Sequence, residues 1–133
     1  MSDLLGFEGR RVLVTGSTAG IGRAAAEAFH AAGAIVAING RTPAAVSAAI
    51  GEMGGGARLV AAPGDLSIGS ERENALRHAI GDLGGLDVLV NNAGRGDDCP
   101  IEDVSPDYWQ RMIDLNLKAA FFSSQLSIPE LRK

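Results

Sequence analysis

The sequence predicts an α/β fold built on a parallel sheet, and three observations carry that prediction. Four short apolar runs alternate with longer amphipathic segments. Turn residues, with glycine prominent among the chain's 18, stand between them. An apolar content of 46% is reached with few aromatics and abundant alanine, a composition suited to tight helix-on-sheet packing. Helical stretches of this length between strands imply right-handed crossovers, and such crossovers join parallel strands.

In chain order, "RRVLVTG" (10–16) reads as a buried strand and 20–32 as the helix after it. "AIVAING" (34–40) is a second strand, and 42–53 a second helix, opened by Thr42 at the N-cap with Pro43 in the first helical position. "GGG" (54–56) breaks that helix. "ARLVAAPGD" (57–65) gives the third strand, and 67–83 a third helix ended by Gly84 and Gly85. "LDVLVNNAG" (86–94) gives the fourth strand. After a polar loop, Ser105 and Pro106 open a final helix running to about residue 128. On it Trp109, Met112, Ile113, Leu117, Ala120 and Phe121 recur three and four apart and define one buried stripe. With no linker, low-complexity tract or internal repeat, residues 1–133 are expected to form a single domain.

Composition narrows the function classes. A domain of 133 residues buries roughly two thirds of its unfolded-chain surface. A net charge of −4 without a basic cluster gives no reason to expect a nucleic-acid partner. Cys99 is the single cysteine, so no intramolecular disulfide is available and a reducing, cytoplasmic setting is the expectation. "MSDLLGFEGRR" lacks a long apolar stretch, and no apolar run approaches the ~18 residues of a membrane span. His30 and His78 lie on helices without Cys or carboxylates at ligand spacing, so no metal site is expected. Asp97 and Asp98 of "GRGDDCP" read as solvated loop residues.

The segment "VTGSTAGIGRAAAEAF" (14–29) is the most informative, because its glycines fall at a strand end and a helix start together. The strand delivers Gly16, the chain turns over 17–19, and Gly20, Ile21 and Gly22 open the helix. Unpaired backbone N–H groups and the positive helix end meet an anionic ligand there. Gly16 takes the tight turn, Gly20 lets a pyrophosphate approach the backbone, and Gly22 allows the helix to pack closely on the strand. Ser17 and Thr18 offer hydroxyls to the same phosphates. Glycines alone would fit an ordinary turn; strand, spacing and helix together point to phosphate binding.

"TGSTAGIG" (15–22) resembles the TGxxxGxG signature of the short-chain dehydrogenases/reductases, and "NNAG" (91–94) is similar to that family's second signature. Asp65 after the third strand continues the likeness. So does "DLNLKAAFF" (114–122), similar to the helix that carries the family's active-site Asn. These landmarks follow the family's order from residue 10 onward and match the first half of such an enzyme. The resemblance implies a three-layer Rossmann-type parallel sheet of strand order 3-2-1-4, truncated before the fifth strand. The domain is thus expected to bind NAD(P) and to be incomplete at its C-terminus.

The same resemblance implies roles for particular residues. Asp65 accepts a hydrogen bond from the adenine amino group while the Leu66 backbone completes the contact; capping of the next helix is the other use of this Asp. Asn91 and Asn92 reach the carboxyl edge of the sheet at its switch point, where α/β proteins bind ligands. Neighbouring strand side chains point to opposite faces, so at most one, taken as Asn92, faces the crevice. Ala93 and Gly94 leave space for a ribose. An NAD enzyme places an acid at the end of the second strand, whereas "AINGRT" (37–42) offers neutral Asn39 and basic Arg41. With no carboxylate to repel a 2′-phosphate and a guanidinium to bind one, NADP(H) is expected over NAD.

Asn116 falls inside the stripe of the final helix, where a buried amide needs partners. The family's matching Asn holds a water that connects the catalytic Lys to solvent; a structural bridge between helix and loop is the alternative. The family's carbonyl and alcohol chemistry also requires a Ser that orients the oxygen, a Tyr as general acid or base and a Lys four residues later. Tyr108 is the single tyrosine here, and Met112 stands four positions on. Neither Lys118 nor Lys133 completes the pattern, and Ser123 and Ser124 lie on the last helix. Two functions stay open: the NADP(H)-binding portion of an oxidoreductase, not catalytic alone, or a non-enzymatic nucleotide-binding or association module. A fourth strand suited to burial on both faces lies at an edge, and part of the final helix is uncovered, so a homo-oligomer is expected.

Overall fold

Successive side chains of a strand point to opposite faces, and that alternation sorts the core into two layers. The computed structural model describes residues 5–133; the first four residues of the expected domain lie outside the described residues. Its strands are β1 (Arg11–Val14), β2 (Ile35–Ile38), β3 (Leu59–Ala61) and β4 (Val88–Val90). They form one parallel sheet of order β3-β2-β1-β4, with Val12 level with Val36 on one side and Val88 on the other. Val12, Val14, Val36 and Ile38 face α1 (Gly20–Ala31) and α2 (Pro43–Glu52), where Ala26, Val46 and Ala49 complete the layer. Leu13 and Ala37 face the other way, into a layer with Leu76, Ala79 and Leu83 of α3 (Gly69–Leu83). The three-layer architecture and the strand order match the expectation.

Helix ends fall where local chemistry sets them. The Thr42 hydroxyl accepts the Ala45 N–H at 3.2 Å and the Ser105 hydroxyl accepts that of Tyr108 at 3.1 Å, each with Pro in the first helical turn. Gly84 closes α3 at φ 75°, in the left-handed region. α3 begins two residues later than expected, because Asp65 Oδ1 takes both the N–H and the hydroxyl of Ser67 in a tight turn.

The final helix departs from its sequence pattern. It consists of α4 (Pro106–Ile113), a π-helical turn (Asp114–Lys118) and α5 (Ala119–Leu131), which runs on through Pro129. The expected buried stripe is not buried: Trp109, Leu117 and Phe121 are 62%, 62% and 61% exposed. Ala119, Ser123 and Ser127 face the core instead, with Leu126 packed against it. A π-turn shifts the phase of the helix after it, yet Trp109 precedes the turn and is as exposed as Leu117 and Phe121, so the stripe is uncovered on both sides of it.

At the amino edge of the sheet, the Asp87 carboxylate accepts from the backbone N–H, Nε and Nη2 of Arg11, at 2.9 to 3.0 Å. These bonds, more than the charge alone, hold the Asp87 carboxyl down at about 2.

Candidate nucleotide-binding site

The carboxyl ends of β1, β2 and β3 are joined by a network of buried polar groups. Gly16 sits at φ 60°, and its surroundings leave no space for a side chain: an added Cβ would lie 2.9 Å from Ala93 Cα. Its N–H donates to Asn39 Oδ1 at 3.0 Å, and its carbonyl accepts from Asn92 Nδ2 at 3.1 Å. Asn92 Nδ2 also donates to Thr15 O. The Thr15 hydroxyl, 1% exposed, in turn accepts the N–H groups of Asn92 and Ala93, both at 2.9 Å. A Cβ at Gly22 would strike the Asn92 amide and the Gly16 carbonyl, so Gly22 makes room for this clamp.

Two of the expected ligand residues have partners within the fold. Ser17 is fully buried; its hydroxyl donates to Val14 O at 2.7 Å and accepts the Asn39 N–H. Asn92 spends its amide on backbone carbonyls, and Asn91 donates to Ser124 Oγ on α5, so neither side chain lines the crevice.

Donors remain at the start of α1. Ala19, its N-cap, provides no side-chain bond, and the first turn carries no acid. The first amides of the helix, at Gly20 and Ile21, thus keep the positive end of the macrodipole open. Gly20 has φ 60° with nothing within 4 Å of an added Cβ, and Ile21 is 84% exposed. This is open approach space, as a pyrophosphate requires.

Beside this turn lies a cleft of about 640 Å³. Its lining includes Gly16, Thr18, Asn39, Gly40 and Arg41, the segment from Gly64 to Ser67, and, from the chain after β4, Ala93, Gly94, Asp97, Arg111 and Leu115. Asp65 lies at the cleft with Oδ1 engaged by Ser67, so the helix-capping alternative gives way to a tight turn that leaves Oδ2 available. Leu66 buries its side chain, and its carbonyl accepts from Arg72. Arg41 is exposed and, among the described residues, makes no ion pair or hydrogen bond.

Asn116, within the π-turn, is exposed rather than buried, as are its stripe neighbours Leu117 and Phe121. Its amide is nonetheless fully used: Oδ1 accepts the Arg95 N–H, and Nδ2 donates to the carbonyls of Arg95 and Met112, all at 2.9 to 3.0 Å. Gly94 permits this, since a Cβ there would lie 2.8 Å from Asn116 Oδ1. Sequence reasoning missed Thr15, Asn39 and Arg111. For Asn39 the available signal was a polar residue closing an apolar strand beside a glycine, which marks a buried group with partners.

Glycines at positive φ, an open helix end and a cleft at the carboxyl edge of a parallel sheet together define a Rossmann-type dinucleotide-binding protein. Comparison with known proteins carries this further: the chain matches the short chain dehydrogenase family over residues 10–133 and belongs to the short-chain dehydrogenases/reductases. It is 41% identical over 128 residues to the D-beta-hydroxybutyrate dehydrogenase of Cupriavidus necator, covering 96% of this chain and 50% of that protein. The 3-ketoacyl-(acyl-carrier-protein) reductase of Brucella melitensis, solved with NADH, superposes with a TM-score of 0.86 at 31% identity over 93% of this chain and 51% of its own. L-sorbose reductase of Gluconobacter frateurii, solved with NADPH and L-sorbose, gives 0.86 at 28% identity over 96% and 49%. The chain thus spans about half the length of the relatives it matches. No helix among the described residues is long and apolar enough to cross a membrane.

Proposed function

We propose that residues 1–133 form a single domain that binds NADP(H) for a short-chain dehydrogenase/reductase-type oxidoreductase. The observation that carries the reading is Arg41. It is a guanidinium unpaired among the described residues, just past the end of β2 where an NAD protein would present an acid, on the cleft that begins at the glycine turn. Relatives bind NADH in one case and NADPH in another, so the choice rests on this chain's own residues.

In this reading the amides of Gly20 and Ile21 and the Thr18 hydroxyl hold the pyrophosphate. Asp65 Oδ2 and the Leu66 backbone hold adenine, and Arg41 the 2′-phosphate. Ala93 and Gly94 admit the nicotinamide-side ribose. Ser17 and Asn92 hold the turn rather than the ligand. Asn116 fixes the Arg95 backbone at the mouth of the cleft. The bound nicotinamide supplies the hydride for interconversion of a carbonyl and an alcohol. The proton for that step needs a Tyr with a Lys four residues on, and Tyr108 with Met112 does not provide it, so these residues are not catalytic alone.

The reading extends to assembly. β4 pairs only with β1 among the described residues, and Trp109, Leu117 and Phe121 stand on the adjoining helix surface. Together they favour a homo-oligomer, seen as a mass above one chain in light scattering. The single Cys99 suits a reducing cytoplasm.

NADPH fluorescence titration tests the cofactor site. Saturable binding, tighter than NADH and lost by roughly tenfold or more in Gly20→Val, is expected, since a side chain would occupy the approach space. Binding unaffected by Gly20→Val would overturn it. Turnover of ketones or quinones by the purified chain would contradict the catalytic half of the reading.

A further inference from the structure

The cleft wall formed by residues 64–67 is held from behind by α3. Arg72, near the start of that helix, turns Nη1 back to the Leu66 carbonyl and donates to it at 3.0 Å. The nitrogen of the same peptide unit, the Ser67 N–H, donates to Asp65 Oδ1 at 3.0 Å, and the Ser67 hydroxyl donates to that oxygen at 2.6 Å. The Leu66–Ser67 peptide is therefore pinned at both ends, its oxygen by Arg72 and its N–H by Asp65. Its orientation sets where the other carboxylate oxygen, Asp65 Oδ2, points. Gly64 adds a second constraint, since a Cβ there would lie 2.9 Å from Glu71 O and the segment sits directly on the helix start. The guanidinium is placed in turn by α5, with Arg72 Cζ 5.5 Å from the centre of the Phe122 ring. Among the described residues Arg72 pairs with no carboxylate, and neighbouring Glu73 is taken by Arg77 at 2.8 Å.

We propose that Arg72 is a positioning residue for the adenine end of the dinucleotide site, acting through the Leu66–Ser67 peptide on the Asp65 carboxylate. It lines the groove between α3 and α5 with Leu76, Phe122 and Leu126 rather than the cleft, so its action is indirect. A guanidinium suits the task because its edge donates to the carbonyl while its face lies on the ring. Loss of the donor leaves the half-buried Leu66 carbonyl without this bond and frees the peptide to turn. Asp65 then loses its fixed direction. The phosphate-binding amides at the start of α1 share no hydrogen bond with Arg72, so the damage is confined to the purine end.

This inference rests on the proposed cofactor site, and its test separates the two. NADPH and its deamino analogue, in which hypoxanthine replaces adenine, are titrated by fluorescence into the wild type, Arg72→Met, Arg72→Lys and Phe122→Leu. Hypoxanthine carries an oxygen in place of the amino group and a hydrogen on N1 in place of a lone pair, so it matches neither Asp65 Oδ2 nor the Leu66 N–H. The wild type prefers NADPH by ~10-fold or more. Arg72→Met lowers NADPH affinity by roughly tenfold and that of the analogue by less than about twofold, so the preference narrows. Arg72→Lys, which keeps a cation to donate to Leu66 O, restores most of the preference. Phe122→Leu removes the ring under the guanidinium and narrows the preference to a smaller extent. A folded Arg72→Met that loses affinity for both dinucleotides equally, or for neither, overturns the inference. Where Arg72→Met does not fold, a wild-type preference in Phe122→Leu overturns it. Wild-type protein that binds both dinucleotides alike removes the adenine contact at Asp65, and this inference with it, while the phosphate site stands. Wild-type protein that binds neither refutes the proposed function itself.

Discussion

The two sides of β1 are built to different standards. Toward β2 and β3, buried polar groups answer one another: Ser17 and Asn39 exchange two hydrogen bonds, and the Asn39 amide reaches both Gly16 and the end of β3. Toward β4 and α5, the strand is only half-buried, and the Ser123 hydroxyl is the one buried side-chain polar atom without a partner among the described residues. Large apolar side chains stand in solvent on the same side. The lesson is that buried polar groups at the ligand-facing edge find partners among the described residues, whereas the β4 and α5 side keeps a partnerless buried hydroxyl and exposed apolar side chains.

The comparison breaks first at Gly22. Gly22→Val drives a side chain into the Asn92 amide and the Gly16 carbonyl, and a loss of about 3 kcal/mol is expected in urea unfolding. A loss below about 1 kcal/mol would mean that the clamp is loose.

A smaller effect is expected at the amino edge, where Arg11 and Asp87 tie β1 to the start of β4. The folded Asp87 carboxyl titrates at about 2, below its ordinary 3.8, so its contribution is present above pH 4 and lost as pH falls through 2. Asp87→Asn should lower the urea midpoint at pH 7, with the difference from wild type closing as the pH approaches 2. A difference that persists undiminished in acid would assign the effect to packing.

The smallest change sharpens the contrast. Ser123→Ala removes a hydroxyl that is buried without a partner, so stability rises by up to about 1 kcal/mol. A comparable loss would reveal a hydrogen bond there and narrow the difference between the two sides.

What the sequence disclosed follows the same divide between local and distant causes. The caps of Thr42 with Pro43 and of Ser105 with Pro106, and the stop at Gly84, were legible because each acts within one turn of chain. Gly16, Gly20 and Gly22 were legible by position, although Gly22 serves the Asn92 amide as well as the helix packing. The partners of Ser17 and Asn92, Val14 and Asn39 for one and the Thr15–Gly16 carbonyls for the other, were not legible because they belong to the folded edge. Trp109, Leu117, Phe121 and Asn116 were placed in a buried stripe because spacing shows which residues share a face and not whether another element covers it.

The central claim, that the edge with partnered polar groups is the cofactor site, is tested most directly by mapping amide exchange with and without NADPH. Protection should concentrate in residues 18–22, 40–41 and 65–67, with α5 unchanged. Protection confined to α4 and α5, or none at saturating NADPH, would contradict it.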